Sequence, residues 1–186
     1  MSECSWPGNS EMMKKYHDNE WCIPSHDDTY IFEMLTLEGA QSGLSWSIVL
    51  SKREDYRKAF KNFDIEYCSK LSDEALEKIR EDYNVVKNLL KLKSVRNNAI
   101  EIIKIQSEFG SFSNYLWKYV DFKPLINNWE SEASMPAQDS ISEQISKDLK
   151  KRNFKFVGPV TMYSFMQAIG MVDDHKRTCP FHSLNR

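Results

Sequence analysis

Apolar residues recur at steps of three and four through most of this chain, and that spacing limits its fold more than any other feature. A helix of 3.6 residues per turn gathers such positions on one face, whereas a strand needs strict alternation. Alternating β-branched runs bounded by Asn-Gly or Asp-Gly are missing, so the expected class is all-α. One helix should open near Asp27/Asp28 and carry Ile31, Leu35 and Glu38, placing the Glu38 carboxyl inward or in a cleft. A second should run from Leu44 or Ser45 to Phe60. Ser72, between Leu71 and Leu76, reads as the cap of a helix reaching about Glu81, and a long helix should follow from Val86 to Glu108. A shorter one is expected over Ser113 to Val120. Residues 121–139, with Pro124, Asn127, Asn128 and Pro136, read as an ordered loop or lobe crossing. Ser140-Ile-Ser-Glu143 reads as a capping box opening a helix to Lys151 or Arg152, and Gly158-Pro159 opens another that ends at Gly170.

With 186 residues, 41% of them hydrophobic and 12% aromatic, the chain can bury one core, and the ring content suggests a lined pocket. Four cysteines, no N-terminal apolar stretch and no long uncharged span argue against a disulfide scaffold and a membrane protein, so a cytosolic location is expected. The net charge of -2 excludes a globally basic nucleic-acid coat but hides local excess: 52–62 nets +3, and 87–104 and 147–155 each net +4. Taken singly these are solvated helix faces; taken together they allow a one-sided basic face.

Three constellations carry chemistry. In Asn153-Phe-Lys-Phe-Val-Gly158-Pro159, Asn and Gly tolerate positive φ, and the helix start beyond Pro159 leaves amides free to hold a phosphate, with Lys151, Arg152 and Lys155 nearby; a plain corner between two helices reads equally well. Glu38 with Trp46, and Trp6, Tyr16 and Trp21 from the N-terminal segment, suits a flat cationic heterocycle that stacks on the rings and donates to the acid; the other reading is core tryptophans and an ordinary helix acid. Cys4 and His17 at one end and His175 and Cys179 at the other are soft and borderline donors fit for one tetrahedral zinc, against the alternative of mobile terminal thiols. P-loop, dinucleotide, nucleophile-elbow and HExxH motifs are absent.

The blocks Cys4-Ser-Trp6, Tyr16-His-Asp-Asn-Glu-Trp21, Leu37-Glu-Gly-Ala-Gln-Ser-Gly-Leu-Ser-Trp46, Lys52-Arg-Glu-Asp-Tyr56-Arg, Phe154-Lys-Phe-Val-Gly158 and Tyr163-Ser-Phe-Met-Gln-Ala168 resemble, in order and over essentially the whole chain, the bacterial type I 3-methyladenine DNA glycosylases. The resemblance implies a helix-hairpin-helix DNA glycosylase fold over 1–186 as a single domain. Its two helical lobes would flank a base-binding cleft, with the helix-hairpin-helix at about 140–170 and the termini joined by a zinc site. It implies one structural Zn2+ on Cys4, His17, His175 and Cys179. Glu38 and Tyr16 would be catalytic, Trp46, Trp6 and Trp21 would bind the flipped base, and Gly43, Lys155 and Gly158 would meet DNA, with Leu44 expected to fill the vacated stack. Partners would be double-stranded alkylated DNA and 3-methyladenine as product, for a monomer of the bacterial cytosol and nucleoid acting in base-excision repair. The catalytic Asp of other helix-hairpin-helix glycosylases is missing, as in that family, and no lysine nucleophile is implied. Methylation at N3 makes the base cationic, so exposing, binding and orienting it while water attacks the sugar rationalises the reaction.

Departures from the family pattern are Met13 for Tyr, Cys22 and Asn153 for Gly, and Lys87 and Leu89 for Arg. The last two remove forked donors and motivate the alternative of a non-catalytic alkylated-base or DNA-binding homologue that lost productive DNA engagement. A helical interaction protein with a zinc clip is the third class.

Overall fold

The structure, a computed structural model, describes residues 4–186. In chain order these form α1 (Glu11–Asn19), α2 (Asp28–Gln41), α3 (Trp46–Ser51), α4 (Arg53–Ala59), α5 (Ile65–Ser69), α6 (Asp73–Asp82), α7 (Leu89–Phe109), α8 (Phe112–Trp117), β1 (Leu125–Ile126), α9 (Ser140–Lys151), α10 (Pro159–Ala168) and β2 (Val172–Asp173), with 3-10 turns at Lys118–Val120 and Glu132–Ser134. Side-chain caps account for most helix starts: Asp27 accepts from the Tyr30 amide, Ser45 from Ile48, Ser72 from Ala75, Asn88 from Leu90 and Lys91, and Ser111 from Asn114.

The centre of the molecule is α2. Every residue from Ile31 to Ala40 is buried, because α3, α7, α8 and α10 all pack on this helix. A helix enclosed on all sides has no solvent face, so any acid it carries is taken inside with it. That forces Glu33 and Glu38 into the interior. Around this axis α5 and α6 lie on α7, and α9 lies on α10. Two glycines permit close approaches: a Cβ at Gly39 would sit 3.2 Å from the Phe156 Cβ, and one at Gly170, whose φ is +72°, would sit 2.2 Å from the Ile23 carbonyl carbon.

Several expectations are corrected. The chain is predominantly helical, yet the 121–139 segment contributes β1, which pairs in parallel with β2 in the register Leu125↔Val172 and Ile126↔Asp173. The helix expected over 44–60 is two helices parted at Lys52, whose amide bonds to the Leu50 and Val49 carbonyls and tightens the turn. The long helix begins at Leu89 rather than Val86, since Asn88 caps it. The capping box lies one residue earlier than expected, on Asp139 and Ser142. The last helix stops at Ala168, two residues before Gly170. Helices α1 and α5 had no counterpart in the sequence reading. Two of the departures from the family pattern share a conformation that favours Gly: Cys22 and Asn153, which stand where the pattern has Gly, both take left-handed backbone, with φ 60° and 66°.

Candidate functional site

A cavity of about 320 Å³ opens beside the C-terminal half of α2. Its wall carries all five residues singled out for an aromatic pocket: Trp6, Tyr16, Trp21, Glu38 and Trp46. The rings form a cage, with Trp6 edge-on to Trp21 at 5.0 Å and to Tyr16 at 6.3 Å, and Tyr16 tilted against Trp46 at 5.2 Å. Glu38 makes no hydrogen bond among the described residues, and burial raises its carboxyl from 4.5 to about 8. Burial, followed by the charge of Glu38, raises the Tyr16 hydroxyl well above the usual phenol range.

Buried polar atoms normally find partners. Here Trp6 Nε1, the Tyr16 hydroxyl and Trp46 Nε1 are buried with none. The side chains that carry these three donors line the same cavity as Glu38, whose acid can take N–H groups from a ligand while the rings stack on its faces.

The wall also includes Gln41, Glu132, Met135, Ser164 and Gln167, which the sequence reading had not assigned. Ser164 and Gln167 had a usable signal, since with Thr161 they put polar residues at steps of three on the mostly apolar α10 and mark one face. Glu132 had none, because its carboxylate reaches the site by binding the Ser5 amide and, at 2.7 Å, the Ser5 hydroxyl across 127 positions of chain.

At the mouth, a smaller cavity of about 210 Å³ joins Glu38 to Gly43, Leu44, Val160 and Thr161. Gly43 takes φ +80° and Leu44 is exposed, so the turn after α2 presents an apolar tip next to the start of α10. Lys91 holds that turn: its buried ammonium donates to the Ala40 carbonyl at 2.8 Å and the Ser42 carbonyl at 2.6 Å.

The connection 152–158 differs from expectation in one respect. Gly158 has φ −64° and needs no positive φ; it caps α10, and an added Cβ would meet only the Thr161 hydroxyl, at 4.0 Å. Phe156 takes the left-handed conformation instead, at φ 57°. Lys155 is exposed, its ammonium 2.7 Å from Asn153 Oδ1.

The one-sided basic face is not what the structure builds from most of these residues. Arg53 and Arg57 turn inward to Glu33. Arg152 grips Glu108 with both terminal nitrogens, Lys93 and Arg96 bind Asp73, and Lys87 donates to the Arg80 and Tyr83 carbonyls at the end of α6. A groove where α9 meets the start of α10 is lined by Glu143, Ser146, Lys147, Lys150, Lys151 and Pro159 and keeps a modest basic excess.

Segments near the two ends of the described chain come together. Donor atoms of Cys4, His17 and Cys179 lie within 4.8 Å of one another, all buried. His175 stands beside them, its ring 4.7 Å from that of His17, and its Nε2 is buried without a partner. Its Nδ1 is 2.8 Å from Asp173, and His17 Nδ1 is 2.7 Å from Asp18. A carboxylate on Nδ1 orients each imidazole, and the donor types of Cys4, His17 and Cys179 suit a soft or borderline dication, with His175 close by and grouped also with Cys22 and Asp173.

A caged, buried carboxyl group on a helical scaffold has the chemistry to take in a flat, cationic heterocycle. Residues 6–183 match the methyladenine glycosylase family, and the chain belongs to it. It is 37% identical over 179 residues to the DNA-3-methyladenine glycosylase of Haemophilus influenzae, covering 96% of this chain and 97% of that one. DNA-3-methyladenine glycosylase 1 of Escherichia coli K12 is likewise 37% identical over 179 residues, or 96% of each chain. A solved Y16F variant of 3-methyladenine DNA glycosylase I in complex with 3-methyladenine superposes with a TM-score of 0.95 at 36% identity, covering 98% of both chains.

Proposed function

We infer that this protein is a DNA-3-methyladenine glycosylase, a hydrolase that cuts the N-glycosidic bond of N3-methyladenine in alkylated DNA and releases the free base. One observation carries the reading: a carboxyl group with no protein partner, raised to about 8 by burial, faces a cavity ringed by idle donors and indole faces. A cationic base supplies what Glu38 lacks. Its charge lowers the carboxyl pKa, and its N–H groups occupy the oxygens. Methylation has already made the base a good leaving group, so the pocket works by accepting the extruded base and orienting it for attack by water on an oxocarbenium-like sugar, while an unmethylated neutral base would leave Glu38 uncompensated.

In this reading α9, the 152–158 connection and α10 form a helix-hairpin-helix that holds one DNA phosphate at the free amides after Pro159, with Gly158 leaving room and Lys155 adding charge. Leu44, presented by Gly43, fills the gap left by the flipped nucleotide. Tyr16, Trp46, Trp6 and Trp21 hold the base. One zinc on Cys4, His17, His175 and Cys179 ties the ends of a single domain together and takes no part in the reaction. The protein works as a monomer in the bacterial cytosol; no helix among the described residues is long and apolar enough to cross a membrane.

Base release from methylated duplex DNA tests the function. Glu38→Gln should slow release of 3-methyladenine on the order of 100-fold, the size of effect seen when a key preorganised partner is lost. Release unchanged by that substitution removes Glu38 from the mechanism, and a wild-type protein that binds free 3-methyladenine yet releases none from DNA is a binding module instead. For the metal, zinc stripping should lower the melting temperature while residual folded protein still binds 3-methyladenine; full stability in verified zinc-free protein overturns the clip.

A further inference from the structure

Gln167 lies on α10 one turn after Ser164, and both border the cavity. Its side-chain nitrogen donates to Asp174 Oδ2 at 2.8 Å. Asp174 is fully buried and held on every side: Oδ1 accepts from Asn127 Nδ2 at 2.7 Å and from Trp129 Nε1 at 2.6 Å, and Oδ2 accepts the Tyr163 hydroxyl at 2.8 Å. A carboxylate only accepts, so the amide must turn its NH2 toward Asp174 and its carbonyl oxygen away. That oxygen meets no donor among the described residues. The backbone is fixed as well, since the Gln167 carbonyl accepts from the Cys22 amide at 2.9 Å.

We propose that Gln167, oriented by Asp174, presents its side-chain oxygen to the cavity as a second fixed acceptor beside Glu38, selecting a base that carries an exocyclic amino group over one with an oxo group there. The inference rests on the glycosylase reading and adds the specificity that Glu38 alone does not supply. A carboxyl group can adapt, accepting when ionised and donating when protonated, and so tolerates either base edge. An amide locked by a neighbouring acid cannot. An amino group offers two N–H donors, whereas an oxo oxygen sets its lone pairs against those of Gln167 and leaves two acceptors buried without partners. Sites that discriminate by hydrogen bonding reject the mismatched analogue far more strongly than sites that discriminate by size.

The test compares lesions within one reaction. DNA treated with a simple methylating agent contains both 3-methyladenine and 3-methylguanine, and their release rates give a ratio. Gln167→Met keeps the length and loses the acceptor; it should shrink the adenine-over-guanine ratio at least about tenfold, mainly by slowing 3-methyladenine release. A merely structural role lowers both rates in parallel, and an unchanged ratio overturns the proposal. Should the variant fold poorly, wild-type protein answers the same question: tryptophan fluorescence titrations with free 3-methyladenine and with 3-methylhypoxanthine should differ at least about tenfold in affinity, and equal affinities overturn it. A wild-type protein that prefers the amino base but releases nothing from DNA would refute the glycosylase reading while leaving Gln167 its role.

Discussion

Two glutamates five positions apart on the same helix are buried to nearly the same degree, Glu33 at 5% exposure and Glu38 at 6%, and they do opposite things. Glu33 accepts from Arg53 Nε at 2.7 Å and from Arg57 Nε at 2.7 Å and Nη2 at 3.1 Å. Burial works against the Arg53 charge, but bonds to Glu33 and Glu20 outweigh it and raise its pKa above the usual value. Glu38 has no such neighbours and faces open space. Burial alone is thus no mark of function. What separates a structural acid from a binding one is whether the fold completes its partners or leaves them for a ligand.

That contrast is sharpened most by breaking the paired site. Glu33→Gln leaves two guanidinium groups partly uncompensated in the interior and should cost about 3–5 kcal/mol in urea unfolding, with base release per folded molecule unchanged. A smaller effect is expected at Glu38, and it depends on pH. Its folded pKa of about 8 stands above the unfolded 4.5, so the neutral form favours the fold; its contribution is whole below pH 4.5 and is lost as pH rises through 8. The free wild-type protein should therefore lose roughly 2–4 kcal/mol across that window relative to Glu38→Gln, and parallel stability curves would show that the carboxyl is already compensated. Smallest is Tyr16→Phe. Its hydroxyl has no partner in the free protein, so removal should leave stability unchanged or raise it by about 1 kcal/mol, while affinity for 3-methyladenine falls. A loss of stability would reveal a partner for the hydroxyl.

Much of the scaffold could be read locally. The Asp27 and Ser72 starts are written in cap residues, the Asn88 cap was passed over in favour of Val86, and the spacing of Ile31, Leu35 and Glu38 puts that acid on a buried face. The aromatic set around Glu38 and the four metal-type donors could be picked out because those side chains are few or clustered and their chemistry is specific. The basic segments were misleading. Arg53 and Arg57 look like surface charge in a +3 run, yet their partner Glu33 lies 20 and 24 positions away, and no local pattern records such a pairing. Lys91 is similar, spanning about fifty positions to reach the turn that carries Leu44. Gln167 was overlooked because its meaning depends on Asp174, and through Asp174 on Asn127 and Trp129.

By itself the sequence determined that the chain is helical, where most helices begin, and which side chains have the chemistry to hold a cationic base or a metal, because caps, periodicity and donor type act over a few residues. Only the tertiary structure decided which buried charges are neutralised and which polar atoms are left idle, and it brought three of the side chains with an idle donor to the cavity that Glu38 lines. Pairing energies depend on distance in space, and residues far apart in the chain acquire a distance only once the core around α2 has closed.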